Sequence, residues 1–471
     1  MMAPDRGATE ERSVNRPPDR TFVPFAGERI AVVGLGRAGL PAARRLADWG
    51  AEVTCWDDRA EARAAAASAG LALADPASGP FRWDALLLSP GIPHRLPRPH
   101  PAAAAAIAAG APIRCDVDYL YRAVRAAGSR ARFVGITGTN GKSTTTALLH
   151  HILASAGVAM EAGGNLGPAA LSLNILGDSG VYTIEMSSYM LERIEAVRFD
   201  LAVLLNLSPD HLDRHGDMAG YAAAKARIFA GQGLAVLGMD DPGSRAMRDA
   251  VAARCVPISG HAPQPGGVFA TDGVLRDAAG PILDLAAAAG LPGRHNAQNA
   301  AAAAACALHL GVSRAQTAAG LRGFPGLPHR QETVAEIAGI RFVNDSKATN
   351  ADSAARALES YPRVVWIAGG IAKDGGIETL APLFPRIAQA VLIGRDAGVL
   401  AATLAAHGVP HTIAGTLDAA VSAAATAAFG GAAPVVLLSP ACASFDQFPG
   451  FEARGDRFRA LVQDLRARRA A

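Results

Sequence analysis

The chain has 471 residues, half of them hydrophobic and 5% aromatic, with 45 basic and 42 acidic side chains and a formal net charge of +3. That length suits about two to four domains with separate cores, and so even a balance of charge excludes the basic field that nucleic acid or an anionic membrane would need. Cys55, Cys115, Cys255, Cys306 and Cys442 are scattered, odd in number and never in a C-x-x-C pair, which argues against a disulfide framework or a zinc knuckle and fits a reducing cytoplasm.

Residues 1–25 mix Arg, Asp, Glu and Pro without an apolar core, so they read as a disordered extension rather than a signal peptide or anchor. Arg29–Val33 predicts a strand entering Gly34, Leu35, Gly36, Arg37, Ala38 and Gly39, a complete G-x-G-x-x-G. A helix with Leu40, Ala43, Leu46 and Ala47 inward follows, then a strand Glu52–Trp56 ending in Asp57 and Asp58. This is a dinucleotide-binding fingerprint, with an acid roughly 20 residues on. It suits the NAD of a dehydrogenase. It suits a UDP-sugar equally, since the loop offers a pyrophosphate site and the acid a ribose acceptor. The strand Ala85–Leu88 runs into Ser89, Pro90 and Gly91, either a plain turn or a ligand loop at a strand's C-terminal end.

Phe133, Val134 and Ile136 end a further buried strand. The loop Gly138, Thr139, Asn140, Gly141 then opens a helix at Lys142, Ser143 and Thr144, with Leu148, Leu149, Ile152 and Leu153 on its inner face. The strict G-x-x-x-x-G-K-[ST] pattern is not met, because Ile136 stands where its first glycine belongs. The variant still aims N–H groups and a helix N-terminus at one spot, as a polyphosphate requires. Lys142 would face the β/γ-phosphates of ATP and the Ser143 hydroxyl a Mg²⁺ ion.

Asn165, in a Gly-rich loop at 163–167, can hydrogen-bond a phosphate or a sugar. The strand Val181–Ile184 ends in Glu185, placed as a Mg²⁺ ligand. Leu201–Leu205 leads to Asn206, to Asp210-His211-Leu212-Asp213-Arg214-His215-Gly216, and to a short helix with Tyr221 and Lys225. Several parallel strands thus deliver polar groups to the edge that carries the phosphate loop. The amides of Asn296 and Asn299 could hold an adenine edge or a ribose, and Leu321–Pro328 reads as a linker. Beyond it, strands at 341–343, 364–368, 390–393 and 435–438 alternate with helices, which predicts another doubly wound sheet. Their ends carry 344–350 (NDSKATN), Lys373 and 439–448 (SPACASFDQF), cations and hydroxyls that suit a small anion. Cys442 reads as a packed thiol, since no base stands near it in sequence.

The strings GxxGTNGKS, GGNLG, EMSS, NLSPDHLDRHG, HNAQN and DSKATN, in that order over 135–350, with SPACASFDQFPGFEARG at 439–455, resemble the Mur ligases of peptidoglycan synthesis. The resemblance covers residues 28 to about 465 and implies an α/β chain of three domains. These are a Rossmann-like UDP-binding domain at 26–130, a central P-loop ATPase-type domain at 131–325 and a C-terminal Rossmann-like glutamate-binding domain at 326–471. It implies ATP-dependent addition of glutamate to UDP-N-acetylmuramoyl-L-alanine through an acyl phosphate, by a cytoplasmic monomer with neither nucleic-acid nor membrane partners. A related form using L-glutamate or another nucleotide-peptide stays open, as do a dehydrogenase and a non-catalytic nucleotide-binding module.

Residue by residue, the resemblance puts two Mg²⁺ ions near Ser143, Glu185 and His211, and a CO₂-derived carbamate on Lys225. It places Asn296, Asn299, Arg330 and Asp345 against ATP. The 34–39 loop, Ser89 and Asn165 fall against the UDP-sugar, and Lys347, Thr349, Lys373, Ser444, Phe445 and Phe451 around glutamate.

Overall fold

The computed structural model describes residues 22–165, 167–251, 254–293, 296–373 and 375–470. The chain is an α/β fold with three parallel-rich sheets. It divides into two compact units: residues up to Val268 with Ala301–Thr317, and Phe269–Ala300 with Ala318 onward.

In the first unit, β1 (Arg29–Val33), β2 (Glu52–Trp56), β3 (Ala72–Leu73), β4 (Ala85–Leu88) and β5 (Ile113–Arg114) form a parallel sheet in the order β3-β2-β1-β4-β5. Val33 lies opposite both Trp56 and Leu88. The three strands therefore end level, and the loops at Gly34, Asp57 and Ser89 leave together from the C-terminal edge. The helix Gly39–Asp48 buries Ala42, Ala43 and Leu46. Ala47, expected inward, is exposed, because each residue turns about 100° and carries it past the stripe.

The expected extension over 1–25 ends earlier than its composition suggested. Phe25 is 1% exposed and meets Tyr119 edge-on at 5.3 Å, while Phe22 meets Trp49 at 6.1 Å. Residues 22–25 thus belong to the first core, and residues 1–21 lie outside the described residues.

The second sheet of this unit holds β6 (Arg132–Thr137), β7 (Met160–Gly164), β8 (Val181–Glu185), β9 (Leu201–Leu204), β10 (Leu234–Gly238) and β11 (Cys255–Ser259), parallel in the order β11-β10-β9-β6-β8-β7. β8 and β9 are buried along their whole length, as central strands covered on both faces must be. Ile136 pairs with Glu185 and Val203, and Gly164 with Glu185, so the predicted polar groups emerge at one edge. Between the two sheets, the helix Asp116–Ala126 is tied down by buried carboxylates. Asp116 accepts the Ala170 N–H, and Asp118 accepts those of Glu195, Ala196 and Val197.

The stretch from Val268 to Asp284 forms an antiparallel meander, β12 (Val268–Thr271), β13 (Val274–Asp277) and β14 (Gly280–Asp284). The remaining strands are β15 (Glu332–Ile337), β16 (Ile340–Asn344), β17 (Val364–Gly369), β18 (Ile387–Ile393), β19 (His411–Gly415) and β20 (Val435–Leu438). Their order is β15-β16-β20-β17-β18-β19, with only the β15–β16 pair antiparallel. Leu438 lies opposite Asn344 and Ile367, which brings the DSKATN and SPACAS loops side by side. The linker expected from Leu321 starts later: Leu321 is fully buried in the helix Arg314–Gly323. No helix among the described residues is long and apolar enough to cross a membrane.

Candidate active site

The phosphate loop is held open by its neighbour strand. Asn206 accepts the Asn140 N–H at 2.8 Å and returns a bond to the Asn140 carbonyl at 3.2 Å, while its own carbonyl accepts the Thr139 N–H at 2.9 Å. Gly141 caps the helix Lys142–Ser155 at φ 84°, a left-handed conformation that favours glycine. Lys142 Nζ arches back to the carbonyls of Gly138 and Thr139 at 2.9 and 2.8 Å. Ser143 is buried at the helix start and Thr144 half-buried, so the loop keeps the shape of an anion cradle.

Beside it, Glu185 is 2% exposed; Oε1 accepts Asn165 Nδ2 at 2.9 Å, and Oε2 is buried with no partner among the described residues. A buried carboxylate oxygen without a partner is unfavourable and suits a cation. Lys225 is 1% exposed, and its Nζ donates to Thr137 Oγ1 at 3.2 Å and the Gly138 carbonyl at 2.9 Å. Burial first, then repulsion by Lys142, pushes its ammonium well below the usual lysine range. Its Nζ also lies 4.8 Å from the centre of the Tyr221 ring, whose hydroxyl meets Thr139 Oγ1 at 3.3 Å.

His211 is left-handed at φ 53°, pairs with Asp210 at 3.4 Å, and lies 4.9 Å from the Tyr189 ring. Among the described residues, no three His, Cys, Asp or Glu side chains could hold a metal by themselves. The Glu185 carboxylate oxygen and the Ser143 hydroxyl are oxygen donors of the kind that suits Mg²⁺, which retains water and phosphate oxygens in its shell.

A cleft of about 230 Å³ opens among Arg37, Ala38, Ser89, Pro90, Asn165 and Met190. At its wall, a Cβ on Gly39 would lie 1.8 Å from the Gly34 carbonyl oxygen, so only glycine closes this turn. Ser89 Oγ donates to that same carbonyl at 2.7 Å, and Arg37 reaches the Asn165 carbonyl. Gly91 at the loop tip is exposed. Asp57 is 7% exposed and accepts the Leu35 N–H at 2.7 Å as well as Arg59. Burial opposes its charge, but those bonds hold its carboxyl below the usual range. Asp57 therefore shapes the loop, while Asp58 stays exposed beside His100 at 3.2 Å. Sequence reasoning passed over Arg59, which follows the acid pair directly, and Arg193. The guanidinium of Arg193 reaches carbonyls about a hundred positions earlier in the chain, so no local pattern announces it.

In the second unit, Asn296 and Asn299 are buried and bonded to each other at 2.9 Å, with Asn296 also donating to the Pro292 carbonyl at 2.6 Å. Asp345 accepts Ser439 Oγ at 2.7 Å and the Gln331 N–H at 3.2 Å. Burial raises its carboxyl to about 7 against these bonds, and the nearby Arg330 lowers it. Lys347 Nζ stands 3.9 Å above the Phe451 ring, Thr349 is half-buried, Ser444 is buried, and Lys373 and Phe445 are exposed. Arg454, which sequence reasoning did not single out, is 1% exposed and ties this loop cluster together. It donates to Ser346 Oγ at 3.0 Å, the Ser346 carbonyl at 2.9 Å and the Cys442 carbonyl at 3.2 Å. Cys442 is a packed thiol, pushed up to about 12 by burial.

Residues 136–307 match the Mur ligase middle domain, and residues 329–442 match the Mur ligase glutamate ligase domain. The UDP-N-acetylmuramoylalanine–D-glutamate ligase of Caulobacter vibrioides is 49% identical over 94% of this chain and 97% of its own length. That of Rhodospirillum rubrum is 50% identical over 95% and 97%. Among solved structures, the MurF ligase of Thermotoga maritima in complex with ADP shares the fold at 16% identity and a TM-score of 0.55, over 96% of this chain and 97% of that one. The chain belongs to the Mur ligase family.

Proposed function

We infer that this chain is an ATP-dependent ligase that adds D-glutamate to UDP-N-acetylmuramoyl-L-alanine in peptidoglycan precursor synthesis. The observation that carries the reading is that relatives 49% and 50% identical, each covered over 97% of its length, bear that activity in their names. The phosphate loop with Lys142, beside the unpartnered Glu185 oxygen, supports the ATP half.

The substrate carboxylate attacks the γ-phosphorus of ATP, the bond to the β-phosphate oxygen breaks, and ADP leaves. The amine of glutamate then adds to the acyl phosphate carbon, loses a proton, and the tetrahedral intermediate expels phosphate. The protein's work is positioning and charge neutralisation. Lys142 and the loop N–H groups bind the β/γ-phosphates. Mg²⁺, held by Ser143, Glu185, His211 and a carbamate on Lys225, would supply charge neutralisation on the phosphate oxygens. A neutral buried amine is the form of lysine that adds CO₂, and the depressed Lys225 ammonium supports that reading.

Asn296, Asn299, Arg330 and Asp345 are the proposed ATP-side groups of the later segments. Ser89, Asn165, Asp58 and the 34–39 loop are assigned to the UDP-sugar, with Asp57 acting through the Leu35 N–H of that loop, and Lys347, Thr349, Lys373, Ser444, Phe445 and Phe451 to glutamate. In domain terms this means a Rossmann-like UDP domain at 26–130, a P-loop ATPase-type domain at 131–325 and a Rossmann-like glutamate domain at 326–471, acting as a cytoplasmic monomer. The test is phosphate release with ATP, UDP-N-acetylmuramoyl-L-alanine and either D- or L-glutamate. Release that needs both co-substrates and prefers D-glutamate supports the reading. ATP binding without substrate-dependent ADP formation, or stabilisation by NAD(H) and not by UDP, overturns it.

A further inference from the structure

Arg193 is 3% exposed, yet it makes no carboxylate bridge among the described residues. Its guanidinium is directed at the main chain of one loop. It donates to the carbonyls of Leu88 at 2.7 Å and Ser89 at 3.0 Å, to that of Ile92, and more distantly to that of Pro90 at 3.5 Å. The adjacent Glu192 turns to other partners: Arg214 at 3.1 Å, His215 at 2.9 Å and His94 at 3.3 Å.

A buried cation needs hydrogen bonds to be tolerated, but a carboxylate would satisfy it as well as carbonyls do. Carbonyls of four residues in a five-residue stretch instead dictate the path of that stretch. The loop carries Ser89, whose hydroxyl closes on Gly34, and Ser89 and Pro90 line the cleft with Arg37 and Asn165. Arg193 itself lies just beyond the segment that leaves β8 at Glu185, whose carboxylate holds Asn165. One side chain therefore ties the segment that follows the short helix Ser188–Leu191, whose Met190 lines the cleft, to the 88–92 loop that lines it as well.

We propose that Arg193 is a positioning residue that sets the Ser89–Pro90–Gly91 loop in the geometry that binds the nucleotide-sugar substrate. This rests on the ligase reading above. Orientation by a rigid second layer matters because small misplacements of binding groups weaken both binding and reaction.

The experiment compares wild type, Arg193→Ala and Arg193→Lys in steady-state kinetics, varying each substrate in turn, with amide hydrogen exchange over residues 88–92. The expected result for Arg193→Ala is a rise of about tenfold or more in KM for UDP-N-acetylmuramoyl-L-alanine, the scale of a lost charged hydrogen bond. KM for ATP stays within about twofold, and exchange at 88–92 is faster, with Lys recovering part of both. Equal rises in both KM values, or a lower melting temperature with unchanged KM, would overturn the proposal. If Arg193→Ala does not fold, Arg193→Lys decides by the same criteria, and failure of both to fold assigns Arg193 to the scaffold alone. If wild type lacks ligase activity, the ligase reading fails instead. The positioning role then stands or falls on exchange at 88–92, unaltered exchange in the variant rejecting it.

Discussion

Lys225 Nζ lies 2.9 Å from the Gly138 carbonyl, so a lysine eighty-seven positions along the chain closes against the phosphate loop from behind. Its side chain is 1% exposed, with Thr137 Oγ1 as its other acceptor. A free ammonium there is disfavoured by burial and by Lys142. Arginine keeps the charge and cannot form a carbamate. Lys225→Arg should therefore be inactive in ATP-dependent phosphate release, with or without bicarbonate. Activity equal to wild type in bicarbonate would reject the carbamate.

Asp345 gives a pH signature. Its carboxyl is raised from 3.8 to about 7, chiefly by burial. The folded state thus binds a proton that the unfolded state has lost across that window, and stability from this group is present below about 3.8 and lost as pH rises through about 7. Melting temperatures of wild type and Asp345→Asn, measured across the window, should diverge, with wild type losing stability relative to the variant as pH rises. Parallel curves would show that Asp345 is ionised throughout.

Phe25 tests the start of the fold. It is 1% exposed between Trp49 and Tyr119, and a buried Phe→Ala change removes about 3–5 kcal/mol. Phe25→Ala should lower the denaturant midpoint of the transition reported by tryptophan emission. An unchanged midpoint would mean that residues 22–25 contribute little to the core.

Ser444 tests the glutamate assignment. It is 2% exposed in the loop after β20, next to the Arg454-tied cluster. Removing a hydroxyl that bonds a charged substrate costs about 1.5–3 kcal/mol, or roughly ten- to a hundredfold. Ser444→Ala should raise KM for glutamate by that factor with little change for ATP. The opposite pattern would move Ser444 to the nucleotide.

The strands and the phosphate loop were legible in the chain because they are local. Apolar runs such as Val435–Leu438 can be buried in few other ways, and the left-handed turn at Gly141 into the helix at Lys142 is written in adjacent residues, although Asn206 and Lys225 then brace it from far along the chain. The family, too, could be read from short strings. Where sequence reasoning missed, the determinant was distant or marginal. Phe22 and Phe25 stand in a charged segment, and their burial depends on Trp49 and Tyr119 being brought to them. The Leu321 boundary shifted because helix packing outweighed a nearby Gly-Pro signal. Arg193 and Arg454 look like ordinary surface cations in sequence. Only the tertiary structure surrounds them with carbonyls from residues 88–92 and from Ser346 and Cys442. What the sequence by itself determined is the set of chemical groups and the strand ends that carry them. What the tertiary structure decided is which of those groups are desolvated and what they face, since burial and main-chain hydrogen bonding depend on residues far apart in the chain.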